Sequence, residues 1–257
     1  MPIVARRVDR LDVEVHRDSA AMARVAADRA AGTLRAAVKE RGVAHAMFAT
    51  GNSQLDFVDA LTTATPGVPW SKTVVFHMDE YVGIGPDHPA GFQRWIRERI
   101  VDRVHPRSAF YVDGLDEPDR SCRHYAELLR AHPLDLCCLG IGENGHLAFN
   151  DPPVADFVDP LDVKEVDLDE ACRTQQVNEG HFAHLGLVPA RAITVTIPAL
   201  LRAATVLAVV PEHRKAEPVR TSLVGPVATD CPASALRTKA GATLFLEPGS
   251  AARLEWS

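Results

Sequence analysis

The 257-residue chain has no uninterrupted apolar run near the ~18 residues that a membrane-crossing helix needs. No Cys-x-x-Cys spacing occurs either. The cysteines are Cys122, Cys137, Cys138, Cys172 and Cys231. Their number is odd and two are adjacent in an apolar run. Buried, reduced thiols are therefore expected, rather than a disulfide framework or a metal site. The opening "MPIVARRVDRLDVEVHRD" is charged throughout and lacks an apolar signal core, which points to the cytoplasm. Positive charge is not in excess: 28 Lys and Arg stand against 34 Asp and Glu, a net −6. That balance argues against a nucleic-acid surface and leaves room only for a local basic pocket. No internal repeat, low-complexity tract or linker breaks the chain, so residues 1–257 read as one domain.

What is present is ordinary for a globular protein, with 46% apolar and 24% charged residues. An Ala-rich segment over 19–42 has helical spacing, with Asp18 or Ser19 to cap it and Gly42 behind it. "AHAMFAT", "KTVVFHM", "AFYVDG", "LDLCCLGIG", "AITVTI", "TVLAVV" and "ATLFLE" read as strands. "QLDFVDALTT", "HPAGFQRWIRERIVDRV", "DRSCRHYAELLRAH" and "EHRKAEPVRTSL" read as helices between them. The alternation predicts an α/β fold, an open and mostly parallel twisted sheet with helices on both faces. Ligands of such sheets sit beyond the carboxyl ends of the strands. Three strands end in unusual polar sequences, "TGNSQ", "HMDEY" and "GENGH", and these are expected to meet in one crevice.

The third of them spells Gly-x-Gly-x-x-Gly through Gly140, Gly142 and Gly145. A dinucleotide site needs a helix starting within that turn. Here "HLAFNDPP" follows, and Pro152–Pro153 closes the segment after a few residues, so the glycines are read as a tight turn carrying side chains. His146 exchanges a proton near neutral pH without special surroundings. Asn144 and His146 are equally suited to bonding the turn itself. In "HMDEY", Asp79 and Glu80 point to opposite sides if strand geometry continues, one into the crevice and one bracing the structure. A crevice carboxylate is a candidate general base; an exposed acidic pair is the bland alternative. "ATGNSQ" places Thr50, Gly51, Asn52 and Ser53 before a helix, which suits a phosphate as well as a plain capped turn. It is not a P-loop, because Gly-x-x-x-x-Gly-Lys is absent. His213, Arg214 and Lys215 add positive charge after "TVLAVV", or simply face solvent.

Taken together, "HMDEYVGIGPDHPAGF" and "GIGENGHLAFNDPP" resemble the glucosamine-6-phosphate deaminase family, whose patterns are M-D-E-Y-x-G…D-H-P-x-S-[YF] and G-[IV]-G-x-D-G-H-[IL]-A-F-N-E-P. The resemblance extends through "ATGNSQ", "VPARAITVTIPALLRA" and Lys215 of "VVPEHRKA". It implies an open Rossmann-like α/β fold of the deaminase/isomerase type, a hexosamine 6-phosphate as small-molecule substrate, and neither cofactor nor metal. The implied reaction turns glucosamine 6-phosphate into fructose 6-phosphate and ammonia. Asp79 matches the base that moves a proton between C2 and C1, and His146 matches the ring-opening acid/base. Glu80 and Tyr81 support that strand end, with Glu80 also counted among the substrate-binding residues; Gly51, Asn52 and Ser53 match the phosphate loop, and Lys215 matches the phosphate lysine. Thr50 and Gly142 are carried with the same motifs. Assemblies vary across the family, so a homo-oligomer stays open.

This sequence departs from the pattern in places. The family Asp before Gly-His is Asn144, which can orient an imidazole but cannot stabilise its cation by charge. The family Glu after Phe-Asn is Asp151, which is expected to be the charged partner of His146; Glu143 is a second candidate. The loop proline is Gln54. The family's phosphate arginine has no clear match, with Arg173 and Arg191 as candidate substitutes. The wider superfamily includes 6-phosphogluconolactonases, whose glycine turn typically runs on as Gly-His-x-Ala-Ser-Leu-Phe-Pro, unlike "GHLAFNDP". A sugar-phosphate lactonase and a non-catalytic sugar-phosphate-binding regulator are the alternatives.

Overall fold

The structure is a computed structural model and describes residues 1–256. The chain opens with a hairpin of β1 (Val4–Val8) and β2 (Leu11–Val15). Sequence reading assigned no element here. In β2 the buried Leu11, Val13 and Val15 alternate with Asp12 and Glu14, so its charges belong to a strand with one wet face. Helix α1 (Ser19–Arg41) is capped by Asp18, whose side chain accepts from Ala21 N at 2.6 Å, and ends at Gly42 with φ +78°. Its buried stripe is mostly alanine, which lets the helix lie close to the sheet.

Strand β3 (Ala44–Phe48) is followed by α2 (Leu55–Asp59), which runs on through a wider turn to Ala64. After β4 (Thr73–His77) comes β5 (Asp79–Tyr81). Helix α3 (Phe92–Ile96) continues through 97–101 into α4 (Asp102–Val104), then β6 (Ser108–Phe110), α5 (Pro118–Ala131) and β7 (Leu136–Leu139). The remaining elements are β8 (Val163–Asp167), α6 (Glu170–Asn178), β9 (Arg191–Val195), α7 (Ile197–Leu201), β10 (Thr205–Val210), α8 (Ala216–Val224) and β11 (Ala242–Leu246).

The expected main sheet is present. Its strand order is β1-β2-β11-β10-β7-β3-β4-β6, and every pairing except β1–β2 is parallel. Alternate strand residues feed two apolar layers. Ala46, Phe48, Val75, Cys138 and Val209 face α1, α2 and α3, while Met47, Phe76, Cys137, Val206 and Leu244 face α5, α7 and α8. The cysteines are all free and buried, as expected. No described helix is long and apolar enough to cross a membrane.

A second sheet was not anticipated. β5, β9 and β8 form three antiparallel strands, with Asp79 opposite Thr194. "HMDEY" is therefore a strand, a one-residue break at Met78 and a second strand, rather than a strand and a loop. "AITVTI" belongs to this small sheet and not to the main one. Tyr81, Phe92, Phe149, Phe182 and Ala192 make a third apolar cluster beneath it.

Gly114 fixes how closely the small sheet approaches. A Cβ there would lie 2.3 Å from the Tyr81 carbonyl and 2.8 Å from that of Ile84. Gly114→Ala is expected to destabilise the protein by about 1–3 kcal/mol through forced backbone separation, measured as a lowered denaturant midpoint with an unchanged slope. An unchanged midpoint would mean that the strand end yields freely.

Candidate active site

The parallel strands β3, β4, β7 and β10 all end on the same edge. Strand order reverses between β3 and β7, the position where open α/β sheets leave a crevice. An open cavity lies there. Its walls include Thr50, Gly51 and Ser53 from the end of β3, Asp79 from β5, Gly142 and His146 after β7, and Lys215 after β10. The three polar strand ends do converge.

At one end stands His146. Its Nδ1 lies 2.8 Å from Oδ1 of Asp151, a carboxylate that is almost wholly buried. Asn144 donates to the same Asp151 oxygen at 2.9 Å and to Asp169 at 3.3 Å, while its own oxygen accepts from His146 N. Asn144 thus steadies the carboxylate and the turn, and it does not bond the imidazole. Asp151 stands beside the ring, where the charged partner of His146 was expected. Glu143 points elsewhere, pairing with Arg214 at 2.9 Å. The ring of His146 lies over Gly142, where a Cβ would meet its Nε2 at 2.2 Å. The turn is held from below by Asn150, which donates to the Leu147 and Val195 carbonyls. Ala148 beside it sits at φ +50°, a sparsely populated conformation for a residue with a side chain.

His146, Asp151 and Cys172 bring ligand-type atoms within 4.8 Å of one another. Burial raises the Cys172 thiol well above its ordinary value.

Asp79 and Glu80 divide as their alternation predicts. Asp79 faces the cavity. The Glu80 carboxylate turns back and accepts from the backbone N–H groups of Tyr81, Phe92 and Gln93, capping α3. Glu80 therefore braces the strand and does not touch the cavity, which corrects its assignment as a binding residue. Burial, then the charges of Glu80 and Asp151, raise Asp79 well above its ordinary pKa. Burial works on Asp151 too, yet His146, Asn144 and Cys172 outweigh it and leave Asp151 below the ordinary value. Their surroundings thus push the two carboxylates in opposite directions. Burial likewise lifts Glu80 to about 7 against its backbone hydrogen bonds.

Lys215 closes the other end and is 2% exposed. Burial and then Arg214 pull its pKa down, opposed by Glu179. The strained Glu212, at φ +81°, sets the turn that aims it. Gln54 pins the Thr50–Ser53 loop by donating to the Val209 carbonyl at 3.1 Å. Asn52 is not on the cavity wall; its side chain donates to the Glu179 carbonyl. Neither expected arginine substitute reaches the cavity. Arg173 donates to the Leu185 and Val188 carbonyls, and Arg191 pairs with Glu165 on the small sheet. Sequence reading missed the wall supplied by α6, namely Gln175, Gln176 and Glu179. The signal was Asp169, which caps α6 by accepting from Cys172 N at 2.6 Å.

Comparison with known proteins agrees with this architecture. The sequence profile of the glucosamine-6-phosphate isomerases/6-phosphogluconolactonase family matches residues 17–153. A glucosamine-6-phosphate deaminase of Exiguobacterium sibiricum is 35% identical over 179 residues, 69% of each chain. One of Streptococcus thermophilus is 30% identical over 207 residues, 80% of this chain and 86% of that one. Among solved structures, a monomeric glucosamine-6-phosphate deaminase superposes with a TM-score of 0.85 at 27% identity, over 94% of this chain and 99% of its own. A 6-phosphogluconolactonase of Shewanella baltica shares the fold at a TM-score of 0.76 and 18% identity, over 94% and 98%.

The raised pKa of Asp79 has a stability consequence. The fold prefers its protonated form, so the fold loses stability as pH rises from the unfolded value of about 4 up to the folded value. Asp79→Asn cannot ionise. The variant is expected to match the wild type in acid and to become the more stable protein as pH climbs above about 4, read by denaturant unfolding across a pH series. A constant difference at all pH values would refute the burial argument.

Proposed function

The chain belongs to the glucosamine-6-phosphate isomerase/6-phosphogluconolactonase family, and we propose that residues 1–257 act as one hexosamine 6-phosphate deaminase and isomerase. The carrying observation is a single cavity with the buried Asp79 and a carboxylate-backed His146 at one end and the buried Lys215 at the other. The spelling "GHLAFNDP" favours the deaminase branch over the lactonase branch.

The chemistry follows from where protons must go. His146 takes the proton of the sugar's C1 hydroxyl and returns one to O5, opening the ring, with Asp151 stabilising the imidazolium formed in between. Asp79 then removes the proton on C2. The electron pair forms a C1–C2 double bond, the C2 ammonium gives up one proton and the aldehyde oxygen takes one up, so no proton is supplied from outside. Asp79 gives its proton to C1, leaving an iminium at C2. Water adds to C2, the C–N bond breaks, and the products are fructose 6-phosphate and ammonia. The atoms balance with one water consumed and no external oxidant. Lys215 and the loop Thr50, Gly51 and Ser53 hold the phosphate, so that C1 and C2 stay beside Asp79. An ionised sugar phosphate does not cross a bilayer unaided, so this reaction fits the cytoplasm.

Incubation with glucosamine 6-phosphate is expected to release ammonia and fructose 6-phosphate in equal amounts, with galactosamine 6-phosphate tested beside it for the C4 configuration. Asp79→Asn is expected to lower kcat by ~10²–10⁴, the usual weight of a general base. Lys215→Met is expected to raise KM more than tenfold. Hydrolysis of 6-phosphogluconolactone without ammonia release would overturn the reading in favour of the lactonase.

A further inference from the structure

The phosphate end of the cavity carries a carboxylate that the proposed reaction does not use. The Glu179 side chain is 7% exposed and lines the cavity with Gly51, Ser53 and Lys215. Its Oε2 faces the phosphate loop, 3.9 Å from where a Cβ on Gly51 would stand. Gln175 donates to Oε1 at 2.8 Å, Arg214 pairs with Oε1 at 3.0 Å, and His181 Nε2 lies 3.4 Å from Oε2. Burial opposes the charge, but His181, Arg214 and Gln175 together bring the pKa to about 2. Glu179 is therefore ionised at every working pH. Arg214 is shared among Glu143, Glu179 and Glu212. At this end of the site two cations, Lys215 and Arg214, face three carboxylates.

A dianionic phosphate needs a seat of net positive charge. We propose that Glu179 is a specificity-determining competitor for the substrate's phosphate: its carboxylate stands at the anion seat formed by Gly51 and Lys215 and weakens the binding of phosphorylated sugars. This rests on the reading that the Lys215 end receives the phosphate. The effect requires no movement, because a fixed negative charge beside a buried anion site acts through the field alone, and burial limits screening by solvent. If the carboxylate swings aside when phosphate enters, Arg214 is released from it and the sign of the effect is the same. A purely structural Glu179, tying α6 to the loop through Asn52 and Gln175, makes the opposite prediction. Its loss would loosen the seat and weaken phosphate binding.

The test is calorimetric titration of the intact protein and of Glu179→Gln and Glu179→Ser with inorganic phosphate, alongside KM for glucosamine 6-phosphate. Both variants are expected to bind phosphate about tenfold more tightly or better, with the gap narrowing as sodium chloride is raised. KM for the sugar phosphate is expected to fall by a similar factor. Unchanged or weaker phosphate binding in both variants overturns the proposal, even if ammonia is still released. Tighter phosphate binding without ammonia from any protein supports the role of Glu179 and removes the deaminase reading instead.

Discussion

The site depends on one backbone constraint: the chain passes from the main sheet to the small sheet across a single residue, Met78. His77 is the last residue of β4 and Asp79 the first of β5. His77 is locked through both its backbone and its ring. The Tyr125 hydroxyl donates to its carbonyl at 2.6 Å, and its Nε2 accepts from Val112 N at 2.9 Å. Burial drives its pKa down to about 3, so it stays neutral as that acceptor requires. With β4 ended so firmly and β5 paired to β9, Asp79 has nowhere to go but the seam between the sheets. Its burial, raised pKa and position beside the cavity are consequences of that geometry.

The same seam explains the division of labour among the acids. Glu80 is turned away by strand alternation and spends its oxygens on three backbone N–H groups. Asp151 comes from a different loop and meets donors rather than acids, so it stays charged while Asp79 resists charging. Replacing the family aspartate by Asn144 fits this arrangement. A second carboxylate there would stand against Asp151, whereas an amide donates to it. The negative charge beside His146 lies on Asp151, and Asn144 contributes order rather than charge.

Legibility followed the type of signal each segment carries. The main-sheet strands were readable because buried parallel strands are short apolar runs between turns. The convergence of Thr50, Asp79, His146 and Lys215 followed from parallel strands sharing one carboxyl edge. The hairpin over Val4–Val15 was hidden because an edge strand keeps its charges. Helix α6 was hidden because two of its three buried residues, Gln175 and Gln176, are polar and face a cavity rather than a core. Apolar periodicity cannot report such a face. The fates of Arg173 and Arg191 were equally unreadable, since the acceptors that engage them lie 12 to 26 residues away along the chain.

The glycines of "GIGENG" show how one spelling serves two physical demands. In a dinucleotide fold, a glycine at the second position lets backbone approach a pyrophosphate. Here Gly142 lets backbone approach the protein's own imidazole, since any Cβ would occupy the space of the His146 ring. Both cases need an uncrowded peptide at the end of a parallel strand, so the pattern alone cannot separate them. What separates them is the next element. A nucleotide site continues into a helix whose N–H groups face the phosphates. This chain instead runs into a short turn through the strained Ala148, pinned to β9 by Asn150. The turn delivers a side chain where the helix would have delivered its dipole.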